Sequence, residues 1–201
     1  MTARELEPSR TRIISVSASS KKAGKSRLAS HLVRELKADY GIKVSAGGRH
    51  AGGEAITTDP DVLSRPGTDT GALLEAGART VLWVSADSGN LASELQRALA
   101  MLPPGGLLVI EGNSALEIVD PDLAVFLMAA PFDDFKDSAP AALEKADLVM
   151  VDLTGRLRGK DRDSLERELA KRNGGARVLF YEDDDGRLSA WAETVRMGSD
   201  V

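Results

Sequence analysis

The stretch Ile13-Ile-Ser-Val-Ser-Ala-Ser19-Ser-Lys-Lys-Ala-Gly24-Lys25-Ser26 constrains this chain more than any other. A short β-branched run, Arg12 to Ser17, reads as a strand. Small residues follow from Ser19 to Gly24. Then Leu28, Leu32 and Leu36 recur on one helical face. A strand, a tight small-residue turn and a helix opening on Gly-Lys-Ser is the arrangement that cradles phosphate. Backbone N–H groups of the turn and the helix N-terminus point at anionic oxygens. Lys21, Lys22 and Lys25 crowd a helix start, where cations oppose the helix dipole. An anion in the turn removes that conflict. The bland alternative is a turn leading into a helix with a basic first turn. The motif's usual first glycine is absent, because Ser19 stands there.

In this reading the nucleotide-contacting residues are Ser19, Ser20, Lys21, Lys22, Ala23, Gly24, Lys25, Ser26 and Arg27. Gly24 lets the backbone approach the phosphates. Lys25 bridges the β and γ oxygens, and the Ser26 hydroxyl sits on Mg²⁺. A second element has the matching form. Leu107-Leu-Val-Ile-Glu111-Gly112 is an apolar strand that ends in one carboxylate. In parallel α/β sheets the ligand crevice lies at the C-terminal strand ends. Glu111 is therefore placed to face Mg²⁺ beside Ser26, directly or through water, or to polarise a water or substrate hydroxyl. Lys25 and Glu111 are the expected catalytic residues. Ser26, Glu111 and Asp69 are the expected metal ligands.

The rest of the chain alternates strand and helix. Ile42 to Ala46, Thr80 to Ser85, Leu107 to Glu111, Leu123 to Met128, Leu148 to Asp152 and Arg177 to Tyr181 read as strands. Thr70 to Ala76, Ser88 to Leu102, Ala139 to Lys145 and Arg162 to Arg172 read as helices, and Gly41 reads as the C-terminal cap of the first helix. Almost wholly apolar strands mark a sheet buried on both faces. The expected fold is α/β, a mainly parallel sheet with helices on both faces, of the P-loop nucleoside triphosphate hydrolase type. Residues 1–10 read as a flexible tail and 11–201 as one domain. Residues 47–68, rich in Gly and Pro, read as a functional loop. Asp185-Gly186 reads as a turn closing a hairpin onto Leu188 to Trp191.

Composition removes other classes. The chain has 201 residues, no cysteine and 2 histidines, which excludes disulfide frameworks, zinc fingers and thiol nucleophiles. A net charge of −5 and 4% aromatic content argue against a nucleic-acid partner. The first ten residues lack the apolar core of a secretory signal, and no apolar run reaches bilayer length, so a cytoplasmic protein without a membrane partner is expected.

Four segments together resemble the MobB family, P-loop GTP-binding adaptors of molybdopterin-guanine dinucleotide biosynthesis. They are the strand and loop through Ser26; Lys43-Val-Ser-Ala with Arg49-His50; Arg65-Pro-Gly-Thr-Asp69-Thr with Glu75-Ala-Gly-Ala78 and Trp83-Val-Ser85; and Leu108-Val-Ile-Glu111-Gly112. They span about residues 12–113. The resemblance implies a nucleotide site at Gly24, Lys25 and Ser26, with Glu111 and Asp69 near the metal. It also implies GTP, slow hydrolysis, a cofactor-biosynthesis enzyme as partner, and a homodimer. The chain departs from the family pattern at Ser19, at Thr68 where lysine is usual, and at a histidine-rich stretch reduced to His50. It is thus a divergent member by resemblance. No Asn-Lys-x-Asp guanine motif is present, so GTP over ATP rests on the resemblance. Two other classes fit the same residues. One is a small-molecule kinase using ATP, with the 47–68 loop over its acceptor. The other is a non-hydrolysing nucleotide-binding module with a degenerate loop.

Secondary candidates read more simply. Asp59 and Asp61 suit turns near Pro60, Asp152 ends a strand where a base contact is conceivable, and Arg156, Arg158 and Lys160 suit a solvated charged loop.

Overall fold

The computed structural model describes residues 10–47, 54–153 and 155–181. The strands are β1 (Arg12–Ala18), β2 (Tyr40–Ala46), β3 (Ile56–Thr57), β4 (Thr80–Ala86), β5 (Leu107–Glu111), β6 (Leu123–Met128), β7 (Leu148–Asp152) and β8 (Arg177–Tyr181). The helices are α1 (Lys25–Leu36), α2 (Pro60–Leu63), α3 (Asp69–Glu75), α4 (Ser88–Ala100), α5 (Ala139–Glu144) and α6 (Arg162–Arg172). They form one sheet in the order β3-β4-β2-β5-β1-β6-β7-β8. Every pairing is parallel except β3 with β4. The expected α/β sheet is thus the observed one.

Strand alternation divides the core. Ile14, Val16, Val109, Val125 and Met150 pack under α1 and α3 on one face. On the other face Ile42, Val84 and Ile110 meet α4, and Phe126, Val149 and Phe180 pack with α5 and α6. Strands β5, β6 and β7 are sealed on both sides, which explains their almost wholly apolar composition.

Several boundaries differ from expectation. Helix α1 stops at Leu36, capped by Lys37 at φ 52°, whose backbone N–H reaches back to the helix carbonyls. Gly41 is therefore not the cap. It lies inside β2, where an added Cβ would sit 3.1 Å from Leu73 Cδ1. Close packing of α3 explains that glycine better than a turn does. Helix α4 ends at Ala100, so Leu102 lies beyond it while still packing on the core. Within the 47–68 stretch, Ile56–Thr57 adds an edge strand and Pro60–Leu63 forms a turn of helix capped by the Asp59 side chain. The hairpin expected at Asp185-Gly186 and Leu188 to Trp191, the tail at residues 1–9, and Arg49 and His50 lie outside the described residues.

Candidate functional site

Parallel strands β1, β5 and β2 present their C-terminal ends side by side, and the site grows from those ends. After Ala18 the chain turns through residues 19–24 into α1. Gly24 is the N-cap of α1 at φ 92°, a left-handed conformation that suits glycine. No acidic side chain occupies the first turn of α1, so the positive end of its dipole meets Lys25 instead. Burial holds the Lys25 ammonium below its ordinary pKa, against the opposing pull of Glu111. A half-buried ammonium at a helix N-terminus is a group short of an anion.

Ser26 follows on α1. Its Oγ lies 2.5 Å from Asp69 Oδ1 and 3.1 Å from Glu111 Oε1. One hydroxyl proton can serve only one of them at a time. Asp69 reaches this point because Thr68, not Asp69, caps α3: Thr68 Oγ1 accepts from the Gly71 N–H at 3.1 Å. The Asp69 carboxylate in the first helical turn is thereby released towards Ser26. Glu111 arrives from β5 and is 1% exposed. The next residue, Gly112, has φ 145°, and a Cβ there would lie 2.6 Å from the Val44 carbonyl oxygen. Only glycine lets β5 close against β2 at this point. The structure therefore brings Lys25, Ser26, Asp69 and Glu111 together from three separate segments, α1, α3 and β5.

Lys43 completes the cluster. Its Nζ is 2.7 Å from Glu111 Oε1 and 2.6 Å from Asp69 Oδ2. Burial is the strongest single influence and opposes its charge, but Glu111 and Asp69 together outweigh it and hold the Lys43 pKa above its ordinary value. For Asp69, burial is likewise outweighed, here by hydrogen bonds from Lys43 and Ser26, and its carboxyl stays below the usual range. A sixth residue, Lys136, comes from the β6–α5 connection and donates to Asn113 Oδ1 at 2.9 Å. Burial and the Lys25 charge push its pKa down to about 8.

Asn113 is the hinge pin of the loop. Its Oδ1 accepts from the Ala18 N–H at 3.0 Å and its Nδ2 donates to the Ala18 carbonyl at 2.9 Å. Ser19 is fully buried. Its N–H donates to the Leu127 carbonyl, its carbonyl accepts from the Lys136 N–H, and its Oγ accepts from the Ala129 N–H at 3.0 Å. The residue that departs from the motif thus anchors the loop to the end of β6. Ala23 is buried, while Lys21, Lys22, Gly24 and Arg27 face solvent and Ser20 is half-buried.

The donor set suits a hard cation. It consists of a hydroxyl and two carboxylates, and Glu111 Oε2 is buried with no hydrogen-bond partner among the described residues. Mg²⁺ commonly takes one or two carboxylates and completes its shell with phosphate and water. No group of three or more His, Cys, Asp or Glu side chains gathers into a metal site among the described residues.

Lys43, Asn113 and Lys136 were not expected as site residues. Lys43 carried a readable signal, since a lone cation in a strand buried on both faces needs a carboxylate partner. Asn113 and Lys136 sit in irregular segments with no periodicity to mark them. Asp59 caps α2, its Oδ1 accepting from the Asp61 N–H at 2.9 Å, and Asp61 stands in the first turn of that helix. Arg156 pairs with Asp134, and Asp152 ends β7, which β6 separates from β1.

No family model matches this chain, and no curated protein sequence does. Solved structures do match. One is the hydrogenase maturation factor HypB from Archaeoglobus fulgidus, with TM-score 0.58, 14% identity, and 94% of this chain and 91% of that chain covered. Another is HypB from Helicobacter pylori, solved in complex with nickel, with TM-score 0.61, 14% identity, and coverage of 95% and 90%. Identity this low carries the fold alone, and that fold is the P-loop NTPase fold.

Proposed function

We propose that the chain binds a nucleoside triphosphate with Mg²⁺ and hydrolyses it slowly. The observation that carries this reading is the convergence of Lys25, Ser26, Asp69 and Glu111 at the N-terminus of α1 in a P-loop NTPase fold. Lys25 and the backbone N–H groups of residues 20–25 hold the phosphate oxygens. Ser26, Asp69 and Glu111 are the residues that would hold Mg²⁺, which when bound neutralises charge on the β and γ oxygens. Glu111, or Asp69 beside it, orients the attacking water and accepts its proton. Lys136 adds a second cation against the terminal phosphate. Ser19, buried beneath the loop, fixes its shape.

GTP is the favoured nucleotide and an adaptor role in molybdenum cofactor maturation the favoured setting, both on the family resemblance of residues 12–113. A homodimer and a cofactor-biosynthesis enzyme as partner rest on the same ground. A cytoplasmic setting rests on the sequence alone; no helix among the described residues is long and apolar enough to cross a membrane.

A second reading, a small-molecule kinase using ATP, is favoured by one observation. A cavity of about 440 Å³ opens beside Asp69 and Lys43, against the segment from Val62 to Thr70. Turnover decides between the two. An adaptor binds nucleotide and hydrolyses it at a low, acceptor-independent rate. A kinase shows turnover that rises sharply with its acceptor. Single-turnover assays with GTP and ATP, with and without candidate acceptors, measure that difference.

A further inference from the structure

The cavity beside the phosphate site has a composition of its own. Its floor comes from β2 and β4, which run parallel with Ser45 opposite Ser85 and Lys43 opposite Trp83. Trp83 Nε1 donates to Ser45 Oγ at 3.2 Å, which fixes the indole. The wall comes from α2, α3 and the turn between them, with Val62, Arg65 and Thr68 among its residues. Asp69 and Lys43 line it too, so it shares an edge with the phosphate site.

The charges in this lining are unequal. Two cations, Lys43 and Arg65, face one carboxylate, Asp69. Asp69 is already engaged, by Ser26 on Oδ1 and by Lys43 on Oδ2. Around them lie an indole and a valine, which offer apolar contact, and threonine hydroxyls, which offer hydrogen bonds. An aromatic wall with a few convergent polar groups is the usual make-up of a small-molecule site, and the volume lies in the usual range.

We infer that this cavity is a second ligand site, taking a small molecule with a planar apolar body and one carboxylate or phosphate group. The planar body rests against Trp83 and Val62. The anionic group meets Arg65 and Lys43. The inference rests on the nucleotide reading for what lies next door: the anionic end then sits beside the terminal phosphate, and Lys43 touches both ligands. Lys43 is held now by the two carboxylates. A cation held by Ser26, Asp69 and Glu111 would repel its ammonium, which then turns to the cavity it already lines.

The test uses the two indole N–H signals of the chain, Trp83 and Trp191, in ¹⁵N-labelled protein, with Trp191→Phe making the assignment. The probes are 2-naphthoate and its uncharged analogue 2-naphthylmethanol. The expected result is a saturable shift of the Trp83 signal by 2-naphthoate, with the alcohol binding at least about tenfold more weakly and Arg65→Ala weakening the acid about tenfold, the value of one charge-assisted contact. Three results would overturn the inference: no shift of the Trp83 signal, equal affinity for acid and alcohol, or no effect of Arg65→Ala in a protein whose spectrum is otherwise folded. The same samples are titrated with Mg-GTP and Mg-ATP, which Arg65→Ala leaves unchanged. Nucleotide binding without naphthoate binding overturns the second site alone. Naphthoate binding without nucleotide binding supports the site and overturns the nucleotide reading.

Discussion

The two flanks of β1 use the same construction to different ends. On one side, β5, β2 and β4 deliver Glu111, Lys43, Ser45 and Trp83 to the face under α1 and α3. On the other, β6 and β7 pack Leu127 and Met150 on that face, and Phe126, Val149 and Val151 beneath α5 and α6. Both flanks are parallel and both are sealed. The first flank carries paired charge on that face, Lys43 in the middle of β2 and Glu111 at the end of β5, whereas the charges of the second stand at strand termini, Asp152 of β7 and Arg177 of β8. A charge in a sealed sheet is costly unless paired. Lys43, Glu111 and Asp69 satisfy that requirement among themselves, and the orphaned Glu111 Oε2 shows where the pairing is incomplete. The second flank contributes support: Leu127 and Ala129 hold Ser19, and the segment after β6 sends Lys136 across.

Substitutions can break this contrast. Lys25→Ala should reduce nucleotide affinity by at least about a hundredfold, since it removes a desolvated charge contact to phosphate. Arg156→Ala, on the other flank and paired with Asp134, should change it by less than about twofold. Equal losses would erase the distinction between the flanks. Glycines give the second test, read by urea denaturation. Gly112→Ala puts a Cβ against the Val44 carbonyl at a left-handed φ and should destabilise by about 3 kcal/mol. Gly155→Ala, with nothing within 4 Å, should stay within about 0.5 kcal/mol of wild type.

Lys43→Met sharpens the pairing argument. It leaves two carboxylates facing each other, so stability without divalent cation should fall by about 3 kcal/mol. Millimolar Mg²⁺ should restore part of that loss, read as a rise in Tm larger than the wild type shows. A variant as stable as wild type, with no added response to Mg²⁺, would mean the carboxylates do not form one site.

Lys136 predicts a smaller, pH-dependent effect. Its folded pKa of about 8 lies below the ordinary value of 10.5, through burial first and the Lys25 charge second. Below pH 8 the ammonium is charged in both folded and unfolded chain, and its burial opposes folding in full. Between about pH 8 and 10.5 the folded form sheds the proton first, so that opposition fades as pH rises. A bound triphosphate favours the charged form. Nucleotide affinity should therefore fall as pH rises above 8, and Lys136→Gln should flatten the fall. Smallest of all, Ser19→Ala removes the acceptor of the Ala129 N–H and should cost about 1 kcal/mol with nucleotide affinity nearly kept.

Much of this could be read in the sequence. Strand order aside, the α/β alternation followed from the apolar runs and their spacing. Lys25, Ser26 and Glu111 were marked by local patterns: a glycine-lysine-serine turn, and an acid after four apolar residues. Asp69 came from the resemblance and from its turn. The partners came from the topology, which no local pattern reveals. Lys43 and Glu111 are 68 residues apart and meet only because β2 lies next to β5. Gly41 was misread for a related reason. A glycine after a helix reads as a cap, but the pressure on it comes from Leu73 on α3. Ser19 read as a defect in a motif, while its hydroxyl is a tie to β6.

Calorimetry of GTP, ATP and their diphosphates against wild type and Lys25→Ala, each with and without Mg²⁺, bears on all of this at once. The expected result is Mg²⁺-enhanced triphosphate binding by the wild type, lost in Lys25→Ala while the variant keeps its fold. No nucleotide binding by the wild type, or identical binding by the two proteins, would contradict a phosphate site at the N-terminus of α1.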